Sequence, residues 1–222
     1  MPSITILLKL GILLCSLVIG IIFFYVTKTT NRNEKKQQID QFLSYLINFI
    51  LFIWAGKIVL QLPLLFRDPF AILAYPSDSR AVYVATFLLI IQITYHLIRK
   101  KLHLFTLMET AIPIFTAALF MYEFLQMIIQ GNQHALPNLL LLSIFVLGYI
   151  FIQDKQPMKK VMITYMIVFC LAHVCFHMIF SYTTVFGYML HPIYFISIIL
   201  ISMSLFICDR QGHLKDQHNK LK

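Results

Sequence analysis

Seven apolar segments divide this chain of 222 residues, and their length constrains its fold more than any other feature. A helix needs about 20 apolar residues to cross a bilayer, because each residue adds about 1.5 Å. The polar segments between them are too short to fold separately. We therefore predict one domain, an all-α polytopic membrane bundle of seven helices with a polar tail at 209–222. The predicted spans are residues 4–26, 42–65, 81–98, 104–130, 139–153, 161–180 and 194–208.

The composition supports a membrane protein over a soluble one. Hydrophobic residues make up 59% of the chain and charged residues 12%, whereas a soluble domain is about 25% charged. The net charge of +9 does not indicate nucleic acid, because the basic residues lie in small groups at the ends of apolar segments. The expected partner is the lipid bilayer, and no nucleic-acid partner or cofactor is predicted. The four cysteines contain no CxxC pair, which disfavours redox chemistry.

The positions of lysine and arginine predict the orientation. Basic residues follow the first apolar segment instead of preceding it, so we expect a retained helix, not a cleaved signal peptide. Placing the N-terminus outside puts 14 of the 18 basic residues on the cytoplasmic side, as the positive-inside rule requires. The C-terminus is then cytoplasmic. The 14 residues are Lys28, Arg32, Lys35, Lys36, Arg99, Lys100, Lys101, Lys155, Lys159, Lys160, Arg210, Lys215, Lys220 and Lys222.

Four of the predicted helices carry polar side chains at helical spacing. Such stripes must face protein or water, because lipid leaves polar groups unsatisfied. We therefore predict a polar cavity in the outer half of the bundle. The stripes are Trp54, Lys57 and Gln61; Glu109, Pro113, Thr116 and Glu123; Cys170, His173, His177 and Ser181; and Tyr194, Ser197, Ser204 and Cys208.

Ionisable side chains within spans are the main candidates for binding or proton relay, because each is costly to place in lipid. Lys57, Glu123 and His177 all fall in the outer third of the bilayer when the rise of each helix is counted, and we expect Lys57 to pair with Glu123. Two alternatives stay open: Lys57 extends to the outer headgroups, and Glu123 is solvated at the interface. Glu109 lies near the inner end, where residues 99–101 offer a cationic partner.

Two histidines on the sixth helix are spaced to share a ligand. His173 and His177 are four residues apart, a spacing that permits joint metal coordination, with His191 or Glu123 as the third ligand. The glutamate of an HExxH motif is absent. Hydrogen bonding between helices, or proton relay, is therefore favoured over a metal site.

The loop after the second span combines two arginines, two aspartates and two prolines around an apolar centre. One interpretation is a lid or re-entrant segment that covers the polar cavity. The alternative is an ordinary outer connection with its tyrosine at the membrane interface. The lid candidates are Arg67, Asp68, Tyr75, Asp78 and Arg80.

Three functions agree with these features. The favoured one is a small permease or an ion- or proton-coupled membrane protein, since charged residues within spans commonly line pathways. The second is a membrane-embedded enzyme that acts on a lipid or lipid-linked substrate through His and Glu side chains. The third is a non-catalytic assembly subunit with a membrane-protein partner. The ligand is accordingly a small solute or a lipid-like molecule, and short inner loops without an N-x-S/T site suggest a bacterial plasma membrane.

Overall fold

The computed structural model describes residues 2–62, 78–99, 103–131, 135–153, 158–180, 182–201, 203 and 204. The regular secondary structure of this part of the chain is helical except for two strands of two residues each, in agreement with the predicted all-α class. Its elements are α1 (Pro2–Thr27), α2 (Arg32–Leu60), α3 (Ser79–Ile98), α4 (Leu104–Gln130), α5 (Ala135–Ile152), α6 (Met158–Phe180), β1 (Thr184–Val185), β2 (Tyr188–Met189) and α7 (Pro192–Ile201).

Six of these helices, α1 to α6, are long and apolar enough to cross a membrane. The described length of α7 is only ten residues, or about 15 Å. The predicted seventh span continues to residue 208, and positions 205–208 and the tail at 209–222 lie outside the described residues.

The helices extend beyond the predicted spans where the flanking residues favour helix. α2 begins at Arg32, ten residues before the predicted span, because Glu34, Lys35 and Gln37 are polar but are good helix formers. Its 29 residues are about 44 Å long, which exceeds the roughly 30 Å of the hydrocarbon core. Hydropathy therefore marks only the part of this helix that lipid can surround.

α4 is the central helix of the bundle. Its most apolar stretch is 56% buried, compared with 11–28% for the other five long helices. α1 and α5 pack along it, while α2 pairs mainly with α3. Gly20 lets α1 approach closely, because a Cβ atom there would overlap the Ile114 carbonyl oxygen and lie 3.0 Å from Ala118 Cβ. α4 therefore positions most of the interior side chains described below.

Apolar packing continues between the helices and over the outside of the bundle. Ile112, Tyr149 and Met162 belong to a buried cluster that joins α4, α5 and α6. Large apolar side chains such as Phe87 and Ile144 are exposed on the outer surface. Such an apolar outer surface is suited to contact with lipid, whereas its exposure to water would be unfavourable.

A β-hairpin connects α6 to α7. Thr184 pairs with Met189 and Val185 with Tyr188, in antiparallel register. The two-residue turn between them has positive φ at both positions, 50° at Phe186 and 79° at Gly187. Positive φ at both turn positions characterises the type I′ turn, which matches the twist of a tight hairpin. The hairpin was not predicted from the sequence.

Candidate functional site

A buried carboxylate on α4 is the centre of the candidate site. Glu123 is 2% exposed, and its Oε1 accepts hydrogen bonds from Asn138 Nδ2 at 2.8 Å and from Thr184 Oγ1 at 3.2 Å. Three elements thus meet at one oxygen: α4, the first turn of α5 and the hairpin. Both hydrogen-bond partners of Glu123 among the described residues, Asn138 and Thr184, are neutral.

Asn138 connects the carboxylate to the hairpin backbone. Its Nδ2 also lies 3.2 Å from the Thr184 carbonyl oxygen and 3.5 Å from Thr184 Oγ1. Asn138 itself is 1% exposed, and its Oδ1 has no hydrogen-bond partner among the described residues. A buried acceptor without a donor costs about 1–3 kcal/mol, so this oxygen marks an incomplete polar site.

The tip of the hairpin fits against α4 beside this cluster. A Cβ atom at Gly187 would lie 2.6 Å from Tyr122 Oη, which accepts a hydrogen bond from Gln126 Nε2 at 2.7 Å. The Phe186 ring lies 5.6 Å from the Tyr122 ring and 6.2 Å from the Phe115 ring. Because Phe115 is eight residues before Glu123, or about 12 Å along the helix, the tip extends into the bundle.

The predicted pair of Lys57 and Glu123 is wrong. Ion pairs within the described ranges join Lys28 to Glu109 and Arg80 to Asp78, and none joins Lys57 to Glu123. Lys57 is buried near the end of α2, with its Nζ 5.5 Å from the Trp54 ring. The physical reason is that α2 packs mainly against α3, whereas α5 and the hairpin occupy the surroundings of Glu123.

The remaining residues of the α2 stripe stay with α2. Trp54 is 44% exposed, and the Gln61 backbone N–H donates to the last carbonyls of the helix. The Gln61 side-chain oxygen is buried without a hydrogen-bond partner among the described residues. Neither residue is a hydrogen-bond partner of the Glu123 carboxylate.

The two histidines of α6 occupy different surroundings. His173 is 1% exposed, shares a hydrogen bond with the Phe169 carbonyl oxygen at 3.0 Å and packs between the Phe169 and Phe195 rings. His177 lies 3.3 Å from Thr183 Oγ1, and its ring centre is 6.2 Å from that of His191. Within the described ranges, no three His, Cys, Asp or Glu side chains lie close enough together to bind one metal ion. The predicted set of His173, His177 and His191 therefore does not form such a group.

The structure describes only the end of the predicted lid. Asp78 accepts a hydrogen bond from the Ser79 backbone N–H at 2.7 Å and caps α3, and exposed Arg80 lies 3.9 Å from it. These contacts are those of a helix N-terminus. Arg67, Asp68 and Tyr75 lie outside the described residues. The hairpin is instead the described loop that contacts Glu123.

Polar contacts continue along α4 toward its N-terminus. Tyr165 of α6 donates to Thr116 Oγ1 at 3.0 Å, seven residues before Glu123. A further seven residues back, Glu109 pairs with Lys28, the residue that directly follows α1. Of the predicted partners of Glu109, Arg99 instead contacts the Tyr95 ring, and Lys100 and Lys101 lie outside the described residues.

Two pockets lie away from Glu123. A polar pocket of about 270 Å³ lies between the start of α2 and the start of α4. An apolar groove of about 410 Å³ lies between α1 and the C-terminal part of α4. The polar pocket is lined by Glu34, Gln37, Gln38, Gln41, His103 and Thr106.

Sequence reasoning missed the two groups that bind Glu123. Asn138 is the last residue of the turn-forming stretch GNQHALPN, just before the predicted fifth span. Thr184 lies in TTVFGYM, where two short β-type runs flank a Phe-Gly turn, and this pattern is the signal that predicts a hairpin. No protein-family model matches this sequence, and it has no match among curated proteins or solved structures.

Proposed function

We propose that this protein is a multi-pass membrane carrier that couples the movement of a small solute to a proton, with Glu123 as the proton-binding group. The observation that carries the proposal is the burial of one carboxylate among neutral partners, Asn138 and Thr184. An uncompensated charge in a low-dielectric interior is costly, and a bound proton removes that charge. Binding and release of a proton then accompany a change in the surroundings of Glu123.

The hairpin gives this change a structural basis. Thr184 contacts Glu123, and Phe186 and Gly187 contact Tyr122, so one short segment covers the site. Irregular backbone at membrane depth is tolerated where it is buried in protein or lines a cavity. In a carrier of this kind, the contacts of the hairpin with Glu123 and Tyr122 would close the site, and withdrawal of the hairpin would open it.

The carrier is favoured over the lipid-modifying enzyme because of the histidines. His173 is held between two aromatic rings and shares a hydrogen bond with a backbone oxygen, which suits a packing role. It is not a hydrogen-bond partner of Glu123. Among the described residues, His173 and Glu123 therefore do not form the acid–base pair of the enzyme interpretation, whereas the carrier requires only the buried carboxylate.

We propose that the N-terminus lies outside and the C-terminus in the cytoplasm, with the apolar segment 194–208 as the seventh span of a bacterial plasma-membrane protein. The basic groups support this arrangement, because 14 of the 18 basic residues then face the cytoplasm. Labelling of single cysteines introduced at Arg32 and Asp78 in intact cells tests it. A membrane-impermeant reagent should modify position 78 and not position 32, and the reverse pattern would disprove the orientation.

Proton flux through Glu123→Gln tests the proposed coupling. The full-length protein is reconstituted in liposomes, and a potassium diffusion potential drives protons inward while an enclosed dye reports pH. We expect Glu123→Gln to reduce the flux to that of empty liposomes, because an amide cannot release a proton. Asp40→Asn is the charge-matched control on an exposed side chain and should retain wild-type flux. Equal flux in wild type and Glu123→Gln would refute the role of Glu123.

A further inference from the structure

α2 is longer than the hydrocarbon core of a bilayer, and its N-terminal part is polar. The helix begins at Arg32, and its 29 residues are about 44 Å long. The hydrocarbon core is about 30 Å thick, and the two headgroup layers bring the total to about 40–45 Å. Residues 32–41 precede the predicted span. An upright α2 therefore places these residues in a layer of lipid headgroups.

This N-terminal part of α2 has two different faces. Arg32, Lys35 and Lys36 occupy the i, i+3 and i+4 positions of one helix surface, the basic face of α2. A second set of side chains, shifted by two residues, lines the polar pocket between α2 and α4. Two residues turn a helix by about 200°, so the basic face is on the opposite side of α2 from the pocket. The residues of α2 that line the pocket are Glu34, Gln37, Gln38 and Gln41.

The contacts of Lys35 indicate the depth of the basic face. Lys35 Nζ donates a hydrogen bond to the Tyr25 carbonyl oxygen at 2.8 Å and lies 4.9 Å from the centre of the Tyr25 ring. Tyr25 is exposed and lies two residues before the end of α1. Exposed tyrosines at the ends of membrane helices are typical of the interface between hydrocarbon and water. The ammonium group of Lys35 is therefore at the level of the lipid phosphates.

The other two cations of the basic face are not neutralised by the protein. Arg32 and Lys36 are exposed, and neither belongs to an ion pair among the residues that the structure describes, whereas the nearby Lys28 pairs with Glu109. Cations near a helix N-terminus oppose the helix dipole, so these two charges do not stabilise α2 itself. They are accordingly available to a negatively charged partner.

We propose that the basic face of α2, formed by Arg32, Lys35 and Lys36, binds the headgroups of anionic phospholipids. Its depth and its charge both fit this partner, because a basic residue next to an anionic membrane surface strengthens binding by about fivefold. Zwitterionic phosphatidylcholine contains the same phosphate, but its choline group cancels the charge, so it should bind more weakly. The inference does not depend on the proposed carrier activity, since Glu123 takes no part in it.

Native mass spectrometry of the purified full-length protein in detergent tests the proposal. Phosphatidylglycerol and phosphatidylcholine with identical acyl chains are titrated separately, and the fraction of lipid-bound protein gives each dissociation constant. We expect phosphatidylglycerol to bind at least about tenfold more tightly. Arg32→Gln and Lys36→Gln should each weaken the binding of phosphatidylglycerol by about fivefold, whereas Arg32→Lys should retain it.

Arg80→Gln is the matched control. Like Arg32, Arg80 is an exposed arginine in the first turn of a helix, but it lies 3.9 Å from the carboxylate of Asp78. Its replacement should leave the binding of phosphatidylglycerol unchanged. Phosphatidylcholine should bind equally to the wild type and to every variant, which verifies that the variants are folded.

Three results would overturn the lipid site. The first is equal affinity of the wild-type protein for the two lipids. The second is an equal loss in Arg32→Gln and Arg80→Gln, because net charge and not the basic face would then determine the affinity. The third is a loss of phosphatidylcholine binding in Arg32→Gln as large as the loss of phosphatidylglycerol binding, which would attribute both to folding. None of these results bears on proton flux through Glu123, so the two proposals fail separately.

Discussion

Replacement of Gly187 by alanine tests whether the hairpin is held against α4 as the structure describes. The residue has a φ of 79°, and an alanine Cβ would lie 2.6 Å from Tyr122 Oη. Two separate costs therefore add. The left-handed backbone costs roughly 1–2 kcal/mol for a residue with a side chain, and the overlap costs about 1–3 kcal/mol more, since buried atoms must shift.

The chain contains a matched control for the backbone cost alone. Gly131 follows α4 with a φ of 64°, and a Cβ atom there meets nothing within 4 Å. Gly131→Ala should therefore lower the free energy of unfolding only by the backbone cost, roughly 1–2 kcal/mol. We expect Gly187→Ala to lower the free energy of unfolding by at least about 1 kcal/mol more than Gly131→Ala does.

Reversible chemical unfolding in mixed detergent micelles measures both variants. Addition of Tyr122→Phe should recover most of the extra loss in Gly187→Ala, because it removes the hydroxyl that the new methyl group meets. Equal losses in the two glycine variants, within about 0.5 kcal/mol, would refute the contact between hairpin and α4. The same result would remove the support for the hairpin as the cover of Glu123.

Two further predictions concern the packing of α4. Gly20→Ala should lower the free energy of unfolding by more than about 2 kcal/mol, because the methyl group would meet the Ile114 backbone; Gly148→Ala, with nothing within 4 Å, should be neutral or stabilising. If Gly148→Ala lowered the free energy of unfolding as much as Gly20→Ala does, helix propensity and not the contact with Ile114 would explain both losses. Tyr165→Phe should cost about 1–2 kcal/mol, since it removes the buried bond to Thr116. The exposed Tyr25 provides the control, and a Tyr165→Phe variant as stable as Tyr25→Phe would contradict this contribution.

The approximate helix positions could be predicted from hydropathy. α4 occupies residues 104–130 as predicted, because an apolar segment flanked by a basic cluster and a Gly-Asn turn has few alternatives in a membrane. The helix α2 begins ten residues before the predicted membrane span, since hydropathy does not distinguish a polar helix from a polar loop. The hairpin was missed because its strands are only two residues long.

The candidate site was predicted in part. The sequence makes Glu123 a candidate because an ionisable residue in an apolar segment requires compensation, and the structure buries its side chain. Its partner could not be predicted, since helical phase gives the face of a helix but not the neighbour that the face meets. The sequence analysis proposes Lys57, and only the packing of α4 against α5 places Asn138 beside Glu123.

By itself, the amino-acid sequence determined that this chain forms apolar helices and that a few of their polar side chains must be buried together. These properties depend on the local order of residues, on helix periodicity and on the cost of placing polar groups in lipid. The tertiary structure alone decided which polar groups meet. Contacts of Glu123 with Asn138 and Thr184 join residues 15 and 61 positions apart, and such contacts arise from the relative placement of whole elements, which no local pattern encodes.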